Sequence, residues 1–374
     1  MKTVTKLTKS DPLLYGAVLM LNLVGLLSIR SISDVSGNSS IFIKQIIGSV
    51  IGILSMIGMS LIDLKKITHY YRIFYLMVIV SLAAVPFFGI SGGGARRWIS
   101  FHGLTFQPSE MAKILLILFY AEFIIVYVGK YAGLRVFLFS AILGLPPVFM
   151  ILKEPDLSTA VVLFLIICVI IFVAGLDGRI VAGITAAAIP FVLLFVFLTV
   201  NGRLSFLGEY QRNRILAWLH PEEYASSTAY QTMNSMTAIG SGQLIGKGIG
   251  ASDSGTLLGT GFISESQTDF IFAVIGEQFG FLGCVVVIIL ITLVAVRCYQ
   301  IASMSSDLRD RIVASGMAAW IGIQSYLNIG VATGLLPNTG IPLPFVSYGL
   351  TSLLCLYMGL GFVQNVYMRN RLTH

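Results

Sequence analysis

The stretch Ser264-Glu265-Ser266-Gln267-Thr268-Asp269-Phe270-Ile271-Phe272 places one carboxylate, Asp269, where a long polar segment meets an intensely apolar run. An ionisable group at a membrane rim reads as functional. The alternative for Asp269, with Thr268 beside it, is capping, since both side chains accept from the free N–H groups of a helix start. Glu277 lies eight residues further on, on a similar helix face and at a depth that capping does not explain. A second group follows the glycines 92 to 94, in the order Ala95-Arg96-Arg97-Trp98. Two guanidinium groups can fork onto phosphate oxygens, and the glycines let backbone approach a ligand closely. The other reading is an interfacial anchor built from Trp98 and snorkelling arginines.

Three further clusters carry charge. Pro108 fits the first position of a helix, where Glu110 and Lys113, three residues apart, share a face. They read either as a helical ion pair or as ligand groups, because a cation in a first turn opposes the helix dipole. Pro155 and Asp156 fit the start of another helix, so Asp156 is either a cap or a site residue. The segment Tyr210-Gln211-Arg212-Asn213-Arg214-Ile215-Leu216-Ala217-Trp218-Leu219 predicts a short amphipathic helix on the membrane surface. The glycine-rich run from Gly240 to Gly250 lacks the GxxxxGK[ST] spacing of a phosphate-binding loop, which excludes nucleotide binding.

The elements that must position these groups are membrane helices. Of 374 residues, 56% are hydrophobic and 11% charged, with a mean hydropathy of +0.89. That balance excludes a soluble protein of this size. Apolar windows long enough to cross about 30 Å of hydrocarbon fall near 13–33, 41–62, 73–90, 110–128, 135–152, 157–174, 179–200, 269–296, 312–335 and 347–366. The expected fold is an all-α polytopic membrane protein of about ten transmembrane helices, one domain over residues 1–374, with a long extracytoplasmic loop, 201–268, before the eighth. No cleavable leader is expected, because the first apolar stretch spans and lacks a small-residue cleavage site. Most of the 24 Lys and Arg residues fall in the inner segments if the N-terminus is cytoplasmic. The remainder, among them Arg96, Arg97, Lys113, Arg212 and Arg214, gather outside and point to an anionic ligand. The net charge of +7 is spread over two faces, which excludes a nucleic-acid site. Cys168, Cys284, Cys298 and Cys355 have no metal or disulfide spacing and read as small hydrophobes.

The strings Gly94-Ala-Arg-Arg-Trp-Ile99, Phe106-Gln-Pro-Ser-Glu110, Pro155-Asp156-Leu157, Tyr210-Gln-Arg-Asn-Arg-Ile215, Thr268-Asp-Phe-Ile-Phe-Ala-Val274 and the Gly334–Gly349 stretch resemble the signature motifs of the SEDS family (shape, elongation, division, sporulation). They occur in family order, with wording closer to the elongation branch than to the division branch. The resemblance implies a bacterial peptidoglycan glycosyltransferase in the cytoplasmic membrane. It would polymerise lipid II into glycan on the outer side, beside a class B penicillin-binding protein that supplies transpeptidation. It also implies that Asp269 is the catalytic carboxylate, and that Glu110, Lys113 and Asp156 line the same outer cavity. Departures are modest: Gln278 stands for a second Glu, Leu350 for a Gly, and Ile263–Gln267 for a Leu-Pro-Glu-x-His string.

That chemistry suits the residues. A lipid-diphosphate leaving group gathers negative charge as the glycosidic bond breaks, and outer cations stabilise it. The candidates are Arg96, Arg97, Lys113 and Arg212. Asp269 would take the proton of the attacking sugar hydroxyl, and displacement without a covalent intermediate would invert the anomeric centre. No residue set reads as a metal site, so no cofactor is implied beyond a divalent cation, Mg or Mn, that could accompany the diphosphate. The rival readings are a lipid II flippase, which would need polar groups through the bilayer depth, and a scaffold that only positions a synthase.

Overall fold

The computed structural model describes residues 9–92, 95–101, 104–128, 133–175, 186, 190, 194, 197–200, 209–249, 256–259 and 265–373. Helix α1, Pro12–Ser36, starts where the sequence chemistry asks it to. Pro12 takes the first position, and the Asp11 carboxylate accepts from the N–H groups of Leu13 and Leu14 at 3.0 and 3.4 Å. It is followed by α2 (Ser39–Leu61), a short α3 (Leu64–Thr68) capped by Asp63, and α4 (Tyr71–Phe88). Beyond three strands come α5 (Pro108–Val128), α6 (Gly133–Lys153) and α7 (Leu157–Val173). Two shorter helices, α8 (Glu209–Leu219) and α9 (Tyr230–Ser241), precede α10 (Ile271–Met304), α11 (Leu308–Ala332) and α12 (Leu350–Thr373).

Seven helices, α1, α2, α4, α6, α10, α11 and α12, are long and apolar enough to cross a membrane, and α7 is a shorter apolar helix of the same kind. The 21-residue α5 fills the place of the fourth expected span. The seventh, 179–200, falls largely outside the described residues. The helical polytopic fold therefore stands, and its outward faces confirm the solvent: Ile47, Leu54, Leu76, Phe87, Leu145 and Ile289 are exposed apolar side chains on spanning helices. Three of the four cysteines are buried and all four are free thiols.

The axis of the bundle is α5, whose Ala112, Leu116, Ile117, Tyr120, Ala121 and Ile124 are buried. It packs against α4, α6, α7, α11 and α12. At one end of the bundle, charged groups tie the helices together. Lys65 pairs with Asp307 at 3.3 Å, Arg309 with Glu122 at 2.7 Å, Arg297 with Asp11 at 2.5 Å, and Arg369 with Asp310. Lys65, Arg297, Arg309 and Arg369 are among the cations that fall in inner segments if the N-terminus is cytoplasmic.

At the other end, the chain between α4 and α5 forms a sheet. Strands β1 (Gly89–Gly92), β2 (Ala95–Phe101) and β3 (Leu104–Phe106) run antiparallel in that order. Gly89 pairs with Ile99 and Ile99 with Phe106, so β2 is the central strand. Strands this short, broken by glycine, leave too few residues for an alternating pattern to register in the sequence.

Candidate active site

A cavity of about 410 Å³ opens at the sheet end of the bundle, with Arg97, Gln107, Arg214, Gln231, Glu265 and Asp269 among its polar walls. These side chains come from β2, the start of α5, α8, α9 and the turn before α10. Asp269 is the convergence point. The residue that caps α10 is Phe270, with no side-chain cap bond, so Asp269 is no helix cap. Its carboxylate is left for the cavity.

The main chain under Asp269 is held from three directions. Asn328 on α11 donates through Nδ2 to the Asp269 carbonyl at 2.8 Å and to the Ile341 carbonyl at 2.7 Å. Ser347 Oγ donates to the Thr268 carbonyl at 2.6 Å, and the Tyr348 N–H to the Gln267 carbonyl at 2.8 Å. The Pro/Gly-rich segment between α11 and α12 thus wraps the acidic turn. It faces the carboxylate at Gly340, at φ +69°, where a Cβ would lie 3.1 Å from Asp269 Oδ2 and 3.8 Å from Arg97 Nη2. Only glycine combines that backbone angle with that proximity.

Arg97 is buried, stacks on the Trp98 ring at 4.7 Å, and sits 3.5 Å from Asp156 Oδ2. Asp156 is a cap and also a partner of two cavity residues, without lining the cavity itself. One oxygen caps α7 by accepting the Thr159 N–H at 3.1 Å, and the other holds Arg97 and accepts from Gln107 Nε2 at 3.3 Å. Ser158 next to it donates to the Thr339 carbonyl at 2.7 Å, which links α7 to the segment carrying Gly340.

Burial is the largest influence on Asp269 and lifts its pKa to about 6; Arg97 pulls it back down and Glu265 adds to the rise. Glu154, beside the same group, is pushed to about 8 by burial first and by Asp156 second, against Arg97. A base near neutrality, facing cations, can take a proton while those cations receive negative charge.

The other residues named from sequence lie elsewhere. Arg96 is exposed and donates to the Pro86 carbonyl at 2.9 Å, anchoring the hairpin to α4. Arg212 is exposed on α8, and Arg214, two positions on, lines the cavity in its place. Glu110 and Lys113 do not line the cavity and are each 1% exposed. They form an ion pair at 2.6 Å on the axial helix, where neighbours enclose them on every side. Lys113 Nζ also donates to Gln324 Oε1 at 2.7 Å and lies 4.7 Å from the centre of the Trp320 ring. Gln324 in turn donates to the Pro342 carbonyl at 2.9 Å. Since Pro342 is a cavity residue, the pair supports the site from beneath.

Sequence reasoning missed Asn328, Gln324, Gln231 and Glu265. For the first two a signal existed, since an amide within an apolar span seldom lacks a partner. Gln231, which accepts from Asn338 Nδ2 at 3.2 Å, stands in a polar segment where nothing local distinguishes it. Among the described residues no cluster of His, Cys, Asp and Glu is arranged to hold a metal ion.

Fold and site together define a polytopic helical membrane protein with a carboxylate and two arginines converging on a cavity at one end of its bundle. The family model for FtsW, RodA and SpoVE, described as cell cycle protein, matches residues 10–372, and the chain belongs to that family. It is 33% identical over 387 residues to stage V sporulation protein E of Bacillus subtilis, covering 98% of this chain and 99% of that protein. It is 32% identical over 341 residues to the peptidoglycan glycosyltransferase MrdB of Escherichia coli, covering 90% and 88%. Among solved structures, a chain from a peptidoglycan synthase complex that coordinates polymerization and crosslinking superposes with a TM-score of 0.77 at 28% identity, covering 96% of this chain and 98% of that one.

Proposed function

We infer that the chain is a peptidoglycan glycosyltransferase that joins lipid II units into glycan strands at the outer face of the bacterial cytoplasmic membrane. The observation that carries the reading is Asp269, which caps no helix, has a raised pKa and faces Gly340 together with Arg97. In the reaction, a hydroxyl of the acceptor sugar attacks the anomeric carbon of the donor and Asp269 takes the hydroxyl proton. The bond from that carbon to the diphosphate oxygen breaks, and the lipid diphosphate leaves with the electron pair. Arg97 and Arg214 meet its charge. Transfer in one displacement inverts the anomeric centre.

The outer placement of the site rests on the inner bias of basic residues, which puts the ion-paired end of the bundle in the cytoplasm. The packing of the central helix favours the polymerase over a flippase. A transporter needs a polar path at mid-depth, whereas the central helix there buries Leu116, Ile117, Phe119, Tyr120 and Phe123. An elongation role is the reading favoured by the wording of the motifs.

The direct test is polymerisation of labelled lipid II by the purified protein, with and without its class B penicillin-binding partner. Glycan product is expected in both, raised severalfold by the partner; a chain that only moves lipid II between leaflets would refute the proposal. Running the assay with Mg, Mn or a chelator reports whether a divalent cation travels with the diphosphate.

The pH profile carries a second prediction. A base works when ionised, so the rate should fall as pH drops through about 6 and level off above it. Arg97 favours the ionised form, so Arg97→Gln should move the acidic limb to higher pH, whatever it does to the plateau. A limb that stays put in the variant would show that Asp269 and Arg97 are not coupled.

A further inference from the structure

Glu277 has no part in the chemistry above, yet it is a carboxylate 1% exposed within a spanning helix. Among the described residues, its donors come from the stretch that precedes Asp269. Oε1 accepts from Lys247 Nζ at 2.8 Å, from the Leu257 N–H at 2.8 Å and from Ser241 Oγ at 3.4 Å; Oε2 accepts from the Leu258 N–H at 3.1 Å. A side chain with no role would not be held in this way at such a depth, because an ionised group away from water is costly unless fully partnered.

Just past Glu277 the helix is broken. Gly280 has φ 66° and ψ −162°, far from helical values. A break leaves carbonyls before it and N–H groups after it without their helical partners. The backbone of residues 243–248 replaces them. The N–H groups of Lys247 and Gly248 donate to the carbonyls of Glu277 and Gln278 at 2.9 and 3.0 Å. The N–H groups of Phe281 and Leu282 donate to the carbonyls of Gln243 and Leu244 at 2.8 and 3.1 Å. The contact is main chain on main chain: a Cβ on Gly242 would lie 1.9 Å from the Gly276 carbonyl oxygen, and one on Gly246 2.2 Å from that of Gln278.

What Glu277 grips is continuous with the catalytic wall. Helix α9 ends at Ser241, and its first turn presents Gln231 to the cavity. Ser235 on the same helix donates to the Ala332 carbonyl at 2.7 Å. Residues 270–279, the N-cap and about two and a half helical turns, are all that separates Asp269 from the break.

We propose that Glu277 is a positioning residue that clamps α9, residues 242–249 and 256–259, and the stretch of α10 before Gly280, with Asp269 just ahead of it, into one block, so that Asp269 and Gln231 line one cavity. Its effect on rate rests on the polymerase reading, whereas the clamp itself does not. Glutamine cannot replace it, since an amide offers one accepting oxygen and turns its NH2 toward a donor.

The test compares wild type with Glu277→Gln in lipid nanodiscs, by amide hydrogen exchange and by lipid II polymerisation at varied substrate concentration. Exchange over 243–249 and 256–259 should speed up by about tenfold or more. kcat should fall about tenfold with KM held within about twofold, as expected when geometry rather than binding is lost. Glu277→Asp, which keeps both oxygens, should recover part of kcat. Unchanged exchange in Glu277→Gln would overturn the clamp, and faster exchange with kcat preserved would overturn positioning. A wild type that makes no glycan while exchange responds as expected would count against the polymerase reading alone. If Glu277→Gln does not insert, Lys247→Met removes a single donor and reads the same exchange, with the same outcome required.

Discussion

Asp269→Ala should cost at least about a hundredfold in polymerisation rate, the lower end of what a positioned general base supplies, and leave the protein inserted and folded. The separation of the two effects follows from how the residue is held. Asn328 bonds to the Asp269 carbonyl and Ser347 to that of Thr268, and both contacts are to the main chain. The side chain caps nothing. Asp269→Asn should be equally inactive, because an amide cannot take the hydroxyl proton. The measurement is glycan formation from labelled lipid II alongside a melting curve. More than about a tenth of wild-type turnover in either variant would remove Asp269 from the role, given the size of such effects.

Lys113→Ala should have the largest effect on stability. It leaves Glu110, 1% exposed, without its 2.6 Å partner, and strips Gln324 of a donor. Breaking a buried ion pair from one side costs about 3–5 kcal/mol. Adding Glu110→Gln removes the stranded charge and should restore part of that loss, which a double-mutant cycle of thermal unfolding in detergent would measure. Activity should fall as well, because Gln324 holds the Pro342 carbonyl at the cavity wall. A single variant that melts with wild type would mean that the pair is not the keystone its burial makes it.

Much of this protein is legible before any coordinates. Hydrocarbon admits only helices or closed barrels, so apolar windows become helices. The starts of α1, α3, α7 and α11 are written in Asp11, Asp63, Asp156 and Asp307, each of which accepts from a free N–H of the first turn. Boundaries were less legible. The expected eighth span ends before Arg297, but α10 continues to Met304 because Arg297 finds Asp11 and need not mark a water boundary. The sheet was hidden by the shortness of its strands, and the break at Gly280 because its partners, residues 243–248, lie far from it in sequence.

The candidate site divides along the same line. The sequence by itself determined which residue types stand at the rim of the spanning helices, that Asp269 is among them, and that cations accompany it. Only the tertiary structure decided that Arg97 and Asp156 join Asp269 while Arg96 and Arg212 turn away, that Glu110 and Lys113 lie under the cavity, and that Asn328 and Gly340 complete it. The reason is physical. Caps and spans follow from neighbours along the chain, whereas a charge's partner, burial and pKa depend on which helices pack beside it, and those come from segments far apart in sequence.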